Sequence, residues 1–176
     1  IDDEYYTDGI YVGYRYFETL KGAKEKVNYP FGYGLSYTEF SIEPIWSGEK
    51  DGTIYVTAEI TNTGAFPGKE VVQLYYGAPQ GLLGKPARVL GAFEKTKELK
   101  PGETETLVLT LPTAAMASYD DLGKVQKSAY VLEKGEYHFY LGNSVRDAGL
   151  LDFVWTLDED QVTLQLTEKM APSQLT

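Results

Sequence analysis

The sequence contains no cysteine and only one histidine among its 176 residues. The absence of cysteine excludes disulfide bridges, iron–sulfur clusters, cysteine-ligated zinc and cysteine nucleophiles. A single histidine excludes a metal site with two histidine ligands and leaves no choice of base for a Ser-His-Asp arrangement. We therefore expect no metal and no cofactor.

Long apolar runs and a surplus of positive charge are also missing. No stretch approaches the roughly 20 apolar residues that a membrane helix needs, so we expect no membrane partner. Lys and Arg number 16 against 26 Asp and Glu, which gives a net charge of −10. An acidic surface repels phosphate backbones, so nucleic acid is not an expected partner either.

The beginning of the chain does not resemble a leader sequence. Ile1-Asp2-Asp3-Glu4 contains no Met, no basic region and no apolar region of a signal peptide. We expect the chain to be a piece of a longer polypeptide. The lack of cysteine favours a reducing, cytoplasmic location.

Residues 1–36, here called the aromatic arm, are rich in tyrosine and punctuated by glycine. Eight of the 15 tyrosines lie at or before Tyr37. Neither a helical nor a strand period persists long enough in the arm to build a core. Exposed aromatic side chains in that number form an apolar patch that soluble monomers rarely tolerate. The arm therefore predicts a partner surface, in this domain or in another.

From about Tyr37 onward, apolar residues recur with a period of two, which is typical of half-buried strands. The alternating groups are Ile54/Val56/Ala58/Ile60, Val72/Leu74/Tyr76, Leu107/Leu109/Leu111, Tyr137/Phe139/Leu141, Leu151/Phe153/Trp155 and Val162/Leu164/Leu166. Gly, Pro and Asn turn signals separate them, as at Asp51-Gly52 and Pro101-Gly102. This pattern predicts an all-β sandwich, with at most a helical turn between Pro112 and Ser118.

Side chains that carry chemistry are present but not organised. His138 alternates with Tyr137 and Phe139, which predicts a histidine on the solvated face of a strand. The acidic runs Asp2-Asp3-Glu4, Asp120-Asp121 and Asp158-Glu159-Asp160 are expected to be solvated turns. Glycoside hydrolysis would need two carboxylates that face each other across a sugar, and no such pair is indicated.

The two tryptophans are the remaining candidates for a binding surface, since an exposed indole can stack against a sugar ring. Trp155 is in register with Leu151 and Phe153, so we expect it in the core. Trp46 is also expected in the core. A carbohydrate-binding module that uses exposed aromatics stays open as an alternative.

Several strings in the chain resemble the C-terminal region of glycoside hydrolase family three. In the arm these are Asp8-Gly9-Ile10-Tyr11-Val12-Gly13-Tyr14-Arg15-Tyr16-Phe17 and Tyr29-Pro30-Phe31-Gly32-Tyr33-Gly34-Leu35-Ser36-Tyr37-Thr38. Further along they are Gly68-Lys69-Glu70-Val71-Val72-Gln73-Leu74-Tyr75, Arg88-Val89-Leu90-Gly91-Ala92-Phe93 and Tyr140-Leu141-Gly142-Asn143-Ser144. Their order and spacing match from about Asp8 to Trp155.

The resemblance implies a fibronectin type III-like, immunoglobulin-like β-sandwich over residues 37–176, with a C-terminal tail. It implies that residues 1–36 form a linker arm from the end of an α/β sandwich domain. Members of this family are mostly retaining β-glucosidases, whose nucleophile is an Asp commonly found in a Ser-Asp-Trp string. That string does not occur here. The acid/base Glu lies upstream of the arm, so the resemblance carries over no catalytic or substrate-binding residue.

The resemblance also implies partners for the arm, namely the α/β sandwich and barrel domains of the same enzyme. The candidates for interdomain packing are Tyr14, Tyr16, Phe17, Tyr29, Phe31, Tyr33 and Leu35. The parent enzyme, not this chain, would take a β-glucoside substrate. The tail after Trp155 fits members in which the barrel follows this domain. An adhesive fibronectin-like module would not explain the strings of the arm.

Overall fold

The computed structural model describes residues 9–168. Asp2-Asp3-Glu4 and the last eight residues of the expected tail lie outside this range. Within it, one α-helix, α1 (Tyr14–Thr19), and two 3₁₀ turns (Lys24–Lys26 and Thr113–Met116) accompany ten strands. The strands are β1 (Phe40–Lys50), β2 (Thr53–Asn62), β3 (Val71–Gly77), β4 (Val89–Lys95), β5 (Thr104–Pro112), β6 (Ser118–Asp120), β7 (Ala129–Leu132), β8 (Gly135–Gly142), β9 (Gly149–Leu157) and β10 (Gln161–Gln165).

Two antiparallel sheets face each other across one core. One sheet has the order β1-β2-β5, and the other has the order β4-β3-β8-β9. A third, smaller sheet has the order β10-β7-β6. Every ladder is antiparallel. The all-β sandwich predicted from the period of two is therefore confirmed, as is the single helical turn after Pro112.

The first hairpin shows how local chemistry sets the register. Asp51 and Gly52 connect β1 to β2 with φ angles of 51° and 74°. Two consecutive positive φ angles define the type I′ turn, whose twist matches that of paired strands, and Asp-Gly is one of its preferred sequences. The turn pairs Lys50 with Thr53, so Ile54, Val56, Ala58 and Ile60 all point inward.

The core contains the inward residues of both main sheets. Each predicted alternation in β2, β3, β5 and β8 contributes to it, because successive side chains of a strand point to opposite faces. Its buried members are Ile54, Val56, Ala58, Ile60, Val72, Leu74, Tyr76, Leu99, Leu109, Leu111, Met116, Leu132, Tyr137, Phe139, Leu141 and Leu151.

Asn62, at the end of β2, is a buried polar residue with every hydrogen-bonding group of its amide in use. Its Oδ1 accepts bonds from the Thr38 hydroxyl (2.7 Å) and the Gly64 N–H (3.0 Å). Its Nδ2 donates to the carbonyls of Phe66 and Leu99, both at 2.8 Å. A fully satisfied buried amide rigidifies its surroundings. Asn62 therefore joins the end of β2 to the loop before β3 and to the loop after β4.

The prediction of a core position is confirmed for one tryptophan and wrong for the other. Trp155 is half-buried against the core, with its ring 5.0 Å from that of Tyr137, as expected. The core prediction for Trp46 is wrong, because this side chain is 55% exposed. A β-bulge between Pro44 and Trp46 inserts Ile45 as an extra residue, so Trp46 lies opposite outward-facing Thr57. One extra residue exchanges the two faces of a strand.

The last predicted alternation does form a strand, but its apolar side chains are exposed. Val162 and Leu164 in β10, and Leu166 just after it, are exposed. Leu164 pairs with Tyr130 of β7, which pairs with Tyr119 of β6. These three side chains form a row across the outer face of the small sheet, while Val131 of β7 is buried on the other side.

Candidate functional site

Helix α1 gives the aromatic arm its shape. Gly13 precedes the helix with a φ of 57°, a conformation that glycine adopts without steric cost. The Gly13 carbonyl accepts hydrogen bonds from the N–H groups of Tyr16 (3.1 Å) and Phe17 (3.4 Å). A helical turn that begins at a glycine therefore interrupts the arm.

A buried carboxylate ties α1 to the sandwich. Glu18 lies on the inner side of the helix with a side chain 4% exposed. It pairs with the Nε of Arg146, in the loop between β8 and β9, at 2.9 Å, and with Lys24 at 3.3 Å. Arg146 also donates to the Lys24 carbonyl. Two cations around one buried carboxylate compensate for its desolvation, so this cluster holds the helix in place.

Tyr14 forms the aromatic part of the attachment. Its ring stacks on Phe31 at 4.4 Å and meets Tyr75 of β3 edge-on at 6.4 Å. Its hydroxyl accepts the N–H of Leu90 at 2.9 Å. Tyr75 points to the outer face of its sheet but is fully buried, because the arm covers it. The arm thus forms a second small core on the outer face of the four-stranded sheet.

The backbone around Phe31 is fixed as well. The Phe31 carbonyl accepts the N–H of Val145 at 2.9 Å. Gln73 of β3 donates to the carbonyls of Gly32 (3.5 Å) and Asn143 (2.6 Å). Gly32 has a φ of 86°, and a Cβ at this position would overlap the Gln73 amide. Only glycine fits this close approach, so Gly32 sets how near the arm lies to the sheet.

The seven packing candidates divide into three contacting pairs and one isolated residue. Tyr14 stacks on Phe31, and Tyr16 meets Phe17 at 5.3 Å. Tyr29 and Tyr33 are in contact at 5.0 Å. Tyr29 is 68% exposed, and Leu35 stands alone at 92% exposed.

We call the exposed residues Tyr29, Tyr33, Leu35 and Tyr37 the arm face. Tyr37 was not among the candidates from the sequence, although its aromatic character could have placed it there. Glu18, Arg146 and Gln73 were also missed. These polar residues lie far apart in the chain, and no local pattern indicates that they meet. Glu18, Arg146 and Gln73 attach one side of the arm to the sandwich, whereas the arm face is exposed, so the arm is two-sided.

His138 lies where the alternation predicted. It is partly exposed on the outer face of β8, while Tyr137 and Phe139 are buried on the inner face. Its Nε2 is 3.5 Å from the carboxylate of exposed Glu136. Across residues 9–168, no three His, Asp or Glu side chains are grouped as metal ligands would be. No helix in that range is long and apolar enough to span a membrane.

The acidic runs have mixed outcomes. Asp158, Glu159 and Asp160 are exposed, as expected. The expectation of a solvated turn is wrong for Asp120, which is fully buried. Its carboxylate accepts the N–H groups of residues 123–126 at 2.7–3.1 Å. Burial alone would raise the pKa of Asp120, but these four donors outweigh it and hold the pKa below its ordinary value. Asp120 therefore shapes a loop.

Comparison with known proteins shows which family and which enzymes this chain resembles. Residues 70–145 match the fibronectin type III-like domain family. The chain is 54% identical over 191 aligned residues to β-glucosidase A of Butyrivibrio fibrisolvens, which covers 99% of this chain and 23% of that protein. The structure of a β-glucosidase from Paenibacillus barengoltzii matches with a TM-score of 0.89 and 53% identity, over 96% of this chain and 19% of that one. A GH3 β-glucosidase from Bifidobacterium adolescentis matches with a TM-score of 0.74 and 34% identity, over 92% and 23% of the two chains.

The chain corresponds to a fibronectin type III-like region of family-three β-glucosidases. This region spans about a fifth of the length of these relatives. The family match begins at β3 and ends before β9, so it leaves out the arm. The Paenibacillus match, at 96% coverage, includes most of the arm as well. The arm and the fibronectin type III-like sandwich therefore occur together in a solved β-glucosidase.

Proposed function

We propose that this fibronectin type III-like region is a non-catalytic domain that packs against the catalytic domains of a family-three β-glucosidase and stabilises them. The remaining four-fifths of such an enzyme would supply the α/β sandwich and barrel domains, the catalytic carboxylates and the β-glucoside site. The observation that carries the proposal is the two-sided arm.

The attached side of the arm supports a rigid docking surface. The Glu18–Arg146 ion pair, the Leu90–Tyr14 hydrogen bond and the Phe31–Val145 hydrogen bond fix it to the sandwich at three points. A surface that is ordered before binding loses less conformational entropy when its partner arrives. The arm would therefore present its free side in one geometry.

The free side of the arm supports an apolar contact. Tyr29, Tyr33, Leu35 and Tyr37 are all exposed within nine residues of chain. Tyrosine is enriched at interfaces because its ring supplies contact area while its hydroxyl keeps a polar partner. Tyr14 and Phe31 would act indirectly, by holding the arm face in position. Tyr16 and Phe17 would extend the contact along α1.

The test compares the isolated chain with the whole polypeptide that contains it. Leu35→Asp and Tyr29→Ser change exposed side chains, so the melting temperature of the isolated chain should stay nearly constant. In the whole polypeptide the same changes should lower the melting temperature and shorten the half-life of aryl β-glucoside hydrolysis on heating. A charge placed in an apolar interface is not solvated there, so Leu35→Asp should have the larger effect.

Val108→Ser is the matched control. Val108 is 52% exposed and lies on β5, in the opposite sheet from the one that carries the arm. It should be neutral in both forms of the protein. Equal destabilisation of the isolated chain and the whole polypeptide would contradict the docking role, as would no effect of either arm variant on the whole polypeptide.

A further inference from the structure

Trp46 is an exposed tryptophan held in a fixed orientation. The bulge at Ile45 turns it to the outer face of the β1-β2-β5 sheet, opposite Thr57. Two residues on, Gly48 faces the same way and lies opposite Tyr55. A Cβ at Gly48 would lie 2.6 Å from Cζ2 and 2.9 Å from Cη2 of the indole. The indole therefore lies over Gly48, which it buries although this glycine is on the outer face.

This arrangement leaves one side of the indole against the strand and the other side in solvent. Glycine at position 48 is what permits it, because any side chain would lift the ring away from the sheet. Tyr55 is the diagonal neighbour of Trp46 on the adjacent strand. Such neighbours are about 7–8 Å apart, within reach of aromatic side chains.

On one side of Trp46 the sheet carries hydroxyls, and on the other side Glu43 and Glu59 form an exposed pair of carboxylates. Across the sheet, Trp46, Thr57 and Val108 form one row, and Gly48, Tyr55 and Thr110 form the next. These six residues carry three hydroxyls and no charged side chain. At the edge of the sheet, Trp46 also borders a groove lined by Leu150 and by Asp152, whose carboxylate can accept hydrogen bonds.

We propose that this surface, the Trp46 face, binds a neutral β-linked glucan. In β-D-glucopyranose every ring substituent is equatorial, so both faces of the ring present C–H groups while the hydroxyls point sideways. A ring stacked on the indole would cover its apolar surface and leave its hydroxyls beside those of Tyr55, Thr57 and Thr110. The carboxylates of Glu59 and Asp152, which border the patch, can accept hydrogen bonds from sugar hydroxyls and would repel an anionic ligand.

The size and place of the Trp46 face favour a glycan over a protein partner. Protein interfaces bury roughly 20–30 residues on each side, whereas the uncharged patch consists of six residues around one indole. The patch also lies across the sandwich from the arm, which covers the outer face of the other sheet. The proposal is independent of the docking role of the arm, since each uses a different sheet.

The test is a calorimetric titration of the isolated chain with cellohexaose. Polygalacturonate oligomers of equal length serve as the charged comparison, because their carboxylates would be repelled by the acidic protein. We expect saturable binding of cellohexaose in the millimolar range, nearly independent of salt, and no binding of the charged oligomer. In a Trp155→Phe variant, Trp46 is the only tryptophan, so its fluorescence reports the contact directly.

Three variants separate stacking from folding. Trp46→Ala should weaken binding by about tenfold or more, which is about 1.4 kcal/mol, because the stacked ring is lost. Trp46→Phe should restore part of the affinity. Gly48→Ala keeps the indole but displaces it from the sheet, so it should also weaken binding. Circular dichroism and melting curves of each variant check that the sandwich is intact.

Each other outcome would overturn the proposal. Absence of saturation up to about 10 mM cellohexaose, which corresponds to a binding free energy weaker than about −3 kcal/mol, would exclude a useful site. Unchanged binding in Trp46→Ala would show that the sugar binds to another surface. Self-association in sedimentation that Trp46→Ala abolishes would identify a second copy of the chain as the occupant instead.

Discussion

A buried ion pair offers the sharpest quantitative test of how this region is held together. Lys85, in the loop between β3 and β4, and Glu133, just after β7, have side chains only 3% and 4% exposed. Lys85 Nζ lies 3.1 Å from Glu133 Oε2. The contact is too poorly aligned for a hydrogen bond, so the attraction is mainly Coulombic. The other carboxylate oxygen accepts the N–H groups of Leu82 (2.6 Å) and Leu83 (3.3 Å).

The two partners should respond unequally to substitution. Glu133→Gln keeps a carbonyl oxygen for Leu82 and Leu83 but removes the charge that faces Lys85. A buried cation left without its partner costs about 3–5 kcal/mol. Lys85→Met leaves a carboxylate that still accepts two backbone bonds, so we expect a smaller loss of about 1–3 kcal/mol. The double variant should be more stable than Glu133→Gln alone, because it contains no unpaired charge.

The pH dependence of the Glu133→Gln variant gives a second check. Burial lowers the pKa of Lys85, and the nearby carboxylate of Glu133 raises it again in part. Without Glu133 the pKa falls further, while unfolded Lys85 titrates near its ordinary value of 10.5. Between these two pKa values the unfolded state binds more protons, so the stability of the variant rises with pH.

Urea denaturation followed by circular dichroism, from about pH 7 to pH 10, measures both effects. The gap in unfolding free energy between wild type and Glu133→Gln should narrow as the pH rises. The stability of Lys85→Met itself should not show this rise with pH, because that variant has no amine at position 85 to titrate. Parallel curves for all variants, or equal losses in the two single variants, would refute the reasoning.

Three further predictions concern other parts of the fold. Asn62→Ala should lower the unfolding free energy by about 2–4 kcal/mol in urea denaturation, since it leaves several buried groups without partners; a loss within error would contradict this. Gly32→Ala should release the arm, seen as faster hydrogen exchange over residues 9–36 with the strands still protected; unchanged exchange would show that the arm tolerates a Cβ. Stability should fall as the pH rises above about 10, because the unfolded state then loses phenolic protons that the folded state retains; ultraviolet titration of tyrosinate at constant stability would refute it. Burial raises the pKa of the phenols concerned, which belong to Tyr75, Tyr76 (about 12) and Tyr137.

The strands of the core were predictable because one face of each is apolar and the other polar. The alternations in β2, β5 and β8 stand in the sequence as they do in the sandwich. The Asp51-Gly52 turn was equally predictable, since few residue pairs adopt two positive φ angles. β4 and β7 were not found by pattern, because Gly91 interrupts the first and the second is a run of four residues.

The features that could not be predicted from the sequence depend on contacts between residues that are distant in the chain. The bulge at Ile45 adds one residue to β1, and Pro44 beside it indicates an edge strand or a bulge without saying which, so Trp46 was placed on the wrong face. Tyr75 is buried on an outer face because an arm about 60 residues earlier covers it. Asp120 is buried because the loop after it turns its N–H groups inward. In each case tertiary structure overrides the pattern of the strand.

The attachment of the arm has a consequence for exchanging this region between enzymes. A cut at the first strand, before Phe40, would leave the Leu90 and Val145 N–H groups without their acceptors in the arm. It would also leave Arg146 without Glu18 and uncover Tyr75. The interchangeable unit in a chimera therefore begins no later than Gly13, the N-cap residue of α1, and it includes a segment that contributes no strand to either sheet.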